Sequence, residues 1–454
     1  MAQGPERKRD SYEVQIAELD AALSAFKETE SDKELREWVR GLGEQEFFKK
    51  GIEDASLDPG AFPREFLQEV AKVGLTGLEI SEEYGGTPMT NLEQAIVMEE
   101  LARIHAGLAL SILVLNSLTA YEINRFGTEA QKEKYLRAMA EGRLFAAFAL
   151  TEPDAGTDAK NIQLKAIYDE ERNGFVLNGR KRFITGANGA DVFVVATRTG
   201  APDSGEDGIT AFLVDSDLEG ISIEKVEPKA GQPGSPLCEI LFQDTFVPAD
   251  AILGKLNEGW YGVFDPTLKH SRNWIAAQGV GLEQRAQDLA LGYSYERKAF
   301  GGYLKDIPVH SATVDTLRIQ AGIARALTRI AAQAEDSGDS RFFALSSLSK
   351  LIACDTAAMN PLEAMQLHGG IGYSLEMEIA KVWLASPVLR IYEGTVPVQV
   401  SIAKKGGIKK ETMRLLTPPK LSETYLVDDI REIIHPGAIA FALREYELAG
   451  QAEK

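Results

Sequence analysis

The spacing of apolar residues changes twice along this chain, and the two changes divide it into parts that cannot share one kind of secondary structure. As far as about Leu144 apolar residues recur three and four apart, as in 62–74 (FPREFLQEVAKVG) and 90–126 (TNLEQAIVMEELARIHAGLALSILVLNSLTAYEINRF), the period of packed helices. Over 145–246 the apolar runs are short and rich in Val, Ile, Phe and Thr (FVLNG, DVFVVATRT, ITAFLVD, LCEILFQDTFVP). Between them Asn173-Gly174, Asn178-Gly179 and Asn188-Gly189 offer the positive φ of tight turns. This predicts a compact antiparallel β domain of about a hundred residues. After Pro248 the helical period returns and persists to about Gly406. In 309–334, Leu317, Ala321, Ala324 and Leu327 form one stripe and Ile319, Ile323, Ala326 and Ile330 a second. A helix apolar on two faces belongs inside a four-helix bundle or between a bundle and another subunit, so an oligomer is expected. The predicted fold class is therefore α+β, mainly α, with divisions at 1–144, 145–255 and 256–408. The segment 409–454, with Pro418-Pro419 and His435-Pro436, reads as an appendage of unassigned role.

Composition narrows the function. The 454 residues carry 49 Lys and Arg against 68 Asp and Glu, a net charge of −19, and 44% are hydrophobic. That apolar fraction builds a buried core and excludes disorder of the whole chain. The acidic balance, with a pI near 4.9, disfavours a nucleic-acid partner. Cys238 and Cys354 lie far apart without a CxxC pair, and the five histidines (105, 270, 310, 368 and 435) show no i, i+4 spacing, so neither a disulfide framework nor a metal site is expected. The longest apolar stretch, 106–115, is about half the ~20 residues of a membrane span and contains Ser111. The first residues lack the apolar region of a signal peptide, which leads to the expectation of a cytoplasmic protein. GxGxxG after a strand, Walker A, HExxH and GxSxG are all absent.

What remains is a series of short glycine-containing segments: LTEPDAGTD (150–158), KRFITGANGAD (181–191), KAGQPGSPLCEILFQDTFVP (229–248), YERKAFGG (295–302), MQLHGGIGY (365–373) and RIYEGTVPVQ (390–399), with FGTEAQKEKYL (126–136) before them. In this order and at these intervals, over about 30–408, they resemble the acyl-CoA dehydrogenase family of flavoenzymes. The resemblance implies an N-terminal helical domain, a middle β domain and a C-terminal four-helix bundle, in agreement with the periodicity. It also implies FAD as cofactor, an acyl-CoA substrate, an electron-transfer flavoprotein as partner and a homotetramer or homodimer.

The resemblance places the flavin against Phe148, Leu150, Thr151, Phe183 and Thr185, an apolar wall with two hydroxyls that fix the ring. Phe183 stands where many relatives have Trp; taken alone, it reads equally as β-domain core and Thr151 as the start of a turn. The 154–158 loop would offer N–H groups to the pyrophosphate, with Thr157 adding a hydroxyl to cofactor and substrate. Arg297, Phe300, Gln366 and Gly370 would hold the dinucleotide half from a neighbouring subunit, and Thr395 would add a further cofactor contact. Taken singly, Arg297 could be a solvated helix residue and Gly369-Gly370 a helix C-cap.

Glu393, in IYEGT, would be the catalytic base that takes the α-proton of the acyl thioester. The family pairs it with an oxyanion hole made by its own backbone N–H and a cofactor hydroxyl. Some relatives carry the base on an earlier helix, at a position that is Ser271 here, which cannot serve. Arg272, Tyr392 and Gly394 would contact substrate, although a surface salt bridge is an alternative for Arg272. The acyl pocket would follow 107–118 (GLALSILVLNSL), and Ala109 stands where glutaryl-CoA-specific relatives have arginine, so an apolar acyl tail is expected. Pro397, Pro308 and the 384–386 triplet LAS depart from the family pattern and remove expected cofactor hydrogen bonds. Two other outcomes stay open: a flavoenzyme of the same fold with different chemistry (an oxidase, an enoyl-CoA reductase, or a decarboxylating or desulfinating enzyme), and a flavin-free helical binding protein.

Overall fold

The computed structural model describes residues 29–409, so the appendage predicted at 409–454 lies, apart from its first residue, outside the described residues. The described residues begin with α1 (Glu30–Leu42), α2 (Glu46–Leu57), α3 (Arg64–Lys72), α4 (Asn91–Leu113), α5 (Tyr121–Phe126) and α6 (Glu129–Ala140). Local chemistry starts α4 with a capping box: Glu93 N–H donates to the Thr90 hydroxyl (3.2 Å) and Thr90 N–H to the Glu93 carboxylate (2.8 Å). The 90–126 stretch is not one regular helix. At His105 the backbone leaves the helical region (φ −159°, ψ 106°), and the Leu108 N–H donates to its Nδ1 (3.2 Å), which restarts the helix. Burial holds this imidazole down at about 4, so at neutral pH it is uncharged and able to accept that bond. Val114–Ala120 then forms a π-helical turn, every residue of it buried. Inside it Asn116 accepts from Leu78 N–H (2.9 Å) and donates to Leu75 O (2.9 Å), pinning the loop that leads into α4.

The middle part is a twisted sheet of β1 (Ala146–Ala149), β2 (Lys165–Asp169), β3 (Gly174–Thr185), β4 (Val192–Arg198), β5 (Ile209–Asp215), β6 (Ile221–Val226), β7 (Leu237–Pro248) and β8 (Ile252–Leu253). Its strand order is β6-β7-β3-β2-β4-β5-β8, with β1 beside β4. The sheet is antiparallel, as expected, in most of its pairings, but β1 pairs with β4 in parallel, and β2 meets β4 in parallel through Lys165 and Arg198. Of the Asn-Gly pairs, Asn173-Gly174 closes the β2–β3 hairpin, but Asn178-Gly179 lies inside β3 at a break in register with β7. A second irregularity, between Lys181 and Ile184, puts Phe183 at φ 60°.

A π turn (Trp260–Phe264) leads into the bundle of α7 (Asp265–Glu296), α8 (Pro308–Asp336) and α9 (Phe342–His368), followed by α10 (Glu378–Ala385) and α11 (Val396–Lys405). α7 lies between α4 and α9, and its glycines explain how closely: a Cβ on Gly281 would lie 2.2 Å from Glu99 O, and one on Gly279 2.9 Å from Ala353 O. On α8 the Leu317 stripe is buried, whereas Ile319, Ile323 and Ala326 of the second stripe are only partly covered in a single chain. The buried Glu99 of α4 ties the two helical parts together, bonded by Arg36, Gln284 and Arg325. Burial alone would raise its carboxyl, but Arg325, Arg36 and Arg329 outweigh that and hold it at about 2. Two helices, Asn91–Phe126 and Phe342–Tyr373, are long and apolar enough to cross a bilayer, which counting uninterrupted apolar runs had not revealed. Both are packed inside the fold, with 83% and 67% of their apolar windows buried.

Candidate active site

Glu393 sits on the loop between α10 and α11, in the left-handed region at φ 55°, followed by Gly394 at φ 94°. A non-glycine residue held there carries strain of order 1–3 kcal/mol, so the surroundings must fix it. Three helices do so. From α9 the buried Lys350 donates to Gly394 O (2.7 Å) and Leu389 O (3.2 Å). Gln399 of α11 donates to Glu393 O (3.1 Å) and Gly394 O (2.9 Å). Gln278 of α7 accepts from the Tyr392 hydroxyl (2.6 Å) and donates to Ala106 O (2.9 Å), joining the loop to α4. A Cβ at Gly394 would lie 2.6 Å from Gln399 Nε2, so glycine is needed there for space as well as for φ.

The Glu393 carboxylate accepts a hydrogen bond from Ser271 Oγ of α7 (2.7 Å). Burial raises its pKa above the ordinary carboxylate value, while the Ser271 bond and the Lys350 and Arg272 charges restrain the rise. This is the setting of a carboxylate whose affinity for a proton is increased, as a base requires. Arg272 is 5% exposed, and its Nε and Nη1 have no hydrogen-bond partner among the described residues, which rules out the surface salt bridge.

Of the residues expected at the flavin, Thr151 meets the stretch of β3 that carries Phe183 and Thr185. Arg182 N–H donates to Thr151 O (2.8 Å), which brings the end of β1 against β3 and so places Thr151 near Phe183 and Thr185. Phe148 is half-buried and meets Phe264 edge-on (5.9 Å). Phe183 is not β-domain core: it is 49% exposed at its positive-φ position, with the Arg182 guanidinium 4.7 Å from its ring centre. Leu150, by contrast, is 5% exposed and packs in the cluster of Ile123, Val194 and Phe264. Thr157 lies on the exposed 154–158 loop, where nothing approaches a Cβ on Gly156 within 4 Å. Thr395 is the N-cap of α11, next to the base loop.

Arg297, Phe300, Gln366 and Gly370 form a separate group. Tyr293 of α7 stacks on His368 of α9 (4.4 Å), which brings their segments to one end of the bundle, where all four are exposed. Gly369 is indeed a helix C-cap (φ 67°), and no heavy atom approaches a Cβ on Gly370 within 4 Å. Among the described residues of a single chain, no hydrogen bond or ion pair joins this group to Glu393. Sequence reasoning missed Ser271 as a donor, since only its inability to act as base was considered, missed Lys350 and Gln278, and gave no role to Gln399 although it closes the RIYEGTVPVQ segment.

A three-part fold of helices, sheet and helical bundle, with a carboxylate on a strained loop of the bundle and an exposed Phe183 on the sheet, fits a class of flavin-dependent oxidoreductases acting on acyl thioesters. Comparison with known proteins agrees. Family models for the acyl-CoA dehydrogenase N-terminal, middle and C-terminal domains match residues 29–143, 147–245 and 257–408. Among curated relatives, the acryloyl-CoA reductase (NADH) of Anaerotignum propionicum is 35% identical, with 81% of this chain and 95% of that protein covered. The solved butyryl-CoA dehydrogenase of Megasphaera elsdenii superposes with a TM-score of 0.79 at 34% identity, covering 84% of this chain and 99% of that one. A chain from the structure of the electron transferring flavoprotein of Acidaminococcus fermentans gives a TM-score of 0.80 at 30% identity, covering 85% and 100%. The chain belongs to the acyl-CoA dehydrogenase family, whose members are FAD-dependent oxidoreductases. The residues present fit that cofactor: a projecting Phe183 and a half-buried Phe148 offer ring surface, and nothing approaches a Cβ on Gly156 within 4 Å, so backbone of that loop is open to a pyrophosphate.

Proposed function

We propose that this chain catalyses the α,β-dehydrogenation of an acyl-CoA thioester with an apolar acyl group, giving the trans-2-enoyl thioester, with Glu393 as the base. The observation that carries this reading is the Glu393 carboxylate: half-buried, bonded among the described residues to Ser271 Oγ, and fixed on a strained loop by Lys350 and Gln399. FAD, when bound, supplies the acceptor for the two electrons and the β-hydrogen. The protein's share is to hold the carboxylate at the α-carbon, take its proton, line the acyl chain with the buried 107–118 segment and keep water out. Phe148, Leu150, Thr151, Thr157, Phe183, Thr185 and Thr395 are assigned to the cofactor from one subunit, and Arg297, Phe300, Gln366 and Gly370 from a neighbour in a homodimer or homotetramer. Thr157, Arg272, Tyr392 and Gly394 are assigned to the substrate. An electron-transfer flavoprotein as redox partner, a cytoplasmic location and the domain divisions at 144, 255 and 408 belong to the same proposal.

The test is anaerobic mixing of the flavin-loaded protein with butyryl-, octanoyl- and isobutyryl-CoA. Bleaching by one of them supports the reading, and Glu393→Gln should keep FAD but lose the bleaching. Near-normal bleaching of that variant would assign the base elsewhere. A second reading, reduction of an enoyl thioester, is favoured by the likeness to an acryloyl-CoA reductase. It predicts that the reduced flavin is reoxidised by an enoyl-CoA faster than any saturated thioester bleaches the oxidised form.

A further inference from the structure

Glu122 is the second residue of α5, directly after the π turn, and is completely buried. Neither of its carboxyl oxygens has a hydrogen-bond partner among the described residues. The Thr267 hydroxyl of α7 lies beside it, but Thr267 already donates its one proton to Val263 O (2.7 Å). Thr267 and Ser271 are four residues apart and therefore share a face of α7, about one turn or ~5.4 Å along the axis. Since Ser271 holds Glu393, this face carries two carboxyl groups in succession. The π turn before Glu122 packs against β1, the strand bearing Phe148.

The charges around it decide its state. Its own helix offers Tyr121 and the exposed Arg125, α7 offers Asp265, Arg272 and His270 (already paired with Glu79 and Glu335), and α9 offers Lys350. β1 contributes none, and the π turn Trp260–Phe264 only Tyr261, which is bonded to Glu206. Burial pushes the Glu122 carboxyl well above the usual range, the Glu393 charge adds to this, and only Thr267 opposes it. A carboxylate without donors in such a place would cost far more than a retained proton. The Thr267 oxygen, its own proton spent on Val263 O, is the acceptor beside the acid O–H in the free protein, and an acceptor atom of a ligand would compete for that proton.

We propose that Glu122 is a second active-site carboxyl group that works in its neutral form, donating its O–H to an acceptor atom of the bound ligand, either the flavin ring edge or the acyl thioester, while Glu393 alone carries negative charge. The proposal rests on the reading of Glu393 as base. Its test uses the flavin-loaded full chain and Glu122→Gln, Glu122→Leu and Glu393→Gln. Infrared spectra near neutral pH should show a protonated-carboxyl C=O band that disappears in both Glu122 variants and survives in Glu393→Gln. Substrate bleaching should stay within about threefold of the parent in Glu122→Gln, which keeps a donor, and fall at least about tenfold in Glu122→Leu, equivalent to ~1.4 kcal/mol. Weakened FAD retention in Glu122→Leu would identify the flavin as acceptor, and intact FAD with slow bleaching the thioester. Absence of the band overturns the proposal, as does a Glu122→Leu protein that matches the parent in every measurement. Equal damage from Gln and Leu also overturns it, because it would mean that an ionised carboxylate is required, as for a cationic acyl group. Should Glu122→Leu fail to fold, the infrared band and the Glu122→Gln rate still decide. Normal bleaching by Glu393→Gln would remove the base assignment and leave the band assignment to stand or fall alone.

Discussion

The working state of Glu393 is set by single contacts. Ser271 donates to the carboxylate, and a bond to a charged group stabilises that charge by about 1.5–3 kcal/mol. Ser271→Ala should therefore raise the pKa of Glu393 further, moving the acid limb of the bleaching rate to higher pH and slowing reaction several-fold on that limb. An unmoved limb in a stopped-flow pH series would show that the hydroxyl does not tune the base. The preceding residue has a different task. His270 bonds Glu335 (2.9 Å) through Nδ1 and Glu79 (2.8 Å) through Nε2, and Tyr121 stacks on it at 4.2 Å. Burial works against its charge, but the two carboxylates outweigh this and raise it to about 10 from 6.5. Because the folded value is the higher one, the stabilisation is complete below about 6.5 and is lost as pH rises through about 10. His270→Gln leaves two partly buried carboxylates facing a neutral amide, and a cost of about 3–5 kcal/mol is expected near neutral pH. Thermal unfolding of parent and variant should converge above about pH 10; a constant gap would mean that the imidazole is not charged.

At the scale of elements, the 229–236 segment shows what a motif does that chemistry alone did not explain. It is a wedge between the helical parts: Ser111 of α4 donates to Gly234 O (2.8 Å), Gln232 donates to Ala385 O of α10 (2.8 Å), and Lys229 donates to Gln232 O (2.8 Å). The wedge enters because α4 has glycine where it touches. A Cβ on Gly107 would lie 1.9 Å from Pro233 O, so Gly107→Ala must displace backbone. Overpacking of this kind costs about 1–3 kcal/mol, and both melting temperature and bleaching rate should fall together. A variant with parental melting would show that the wedge yields freely. The same elements show why the sequence was readable in part. Long helices and alternating strands reveal themselves by period, and Glu393 by its IYEGT setting. The break at His105 depends on a buried uncharged ring, and the parallel pairing of Ala-rich β1 depends on which neighbour small residues admit. Neither leaves a periodic trace. Lys350, Gln278 and Gln399 reach the base loop from three helices, so their relation to Glu393 exists only after the bundle is packed.

For the molecule as a whole, the single chain leaves one end of the bundle unfinished. Phe300 is 98% exposed at φ 51°, Tyr373 75% and Leu375 62%, and exposed aromatic groups brought together in this way mark a surface meant for covering. Arg297, Gln366 and Gly370 occupy the same end, and nothing in one chain connects them to the Phe183 wall. The proposed arrangement, in which a second subunit covers this end and shares the dinucleotide, links assembly to cofactor content. Anything bound only by the assembled form stabilises that form in proportion to its concentration and affinity. Phe300→Asp puts a charge into the proposed interface at a site whose side chain contributes nothing to the buried core of its own chain. The folded monomer should therefore survive, as judged by circular dichroism. Light scattering should show a smaller species, FAD should be retained at well below one per chain, and excess FAD should shift part of the protein back to the larger form. Full FAD content and unchanged size in this variant would mean that each chain holds its cofactor alone.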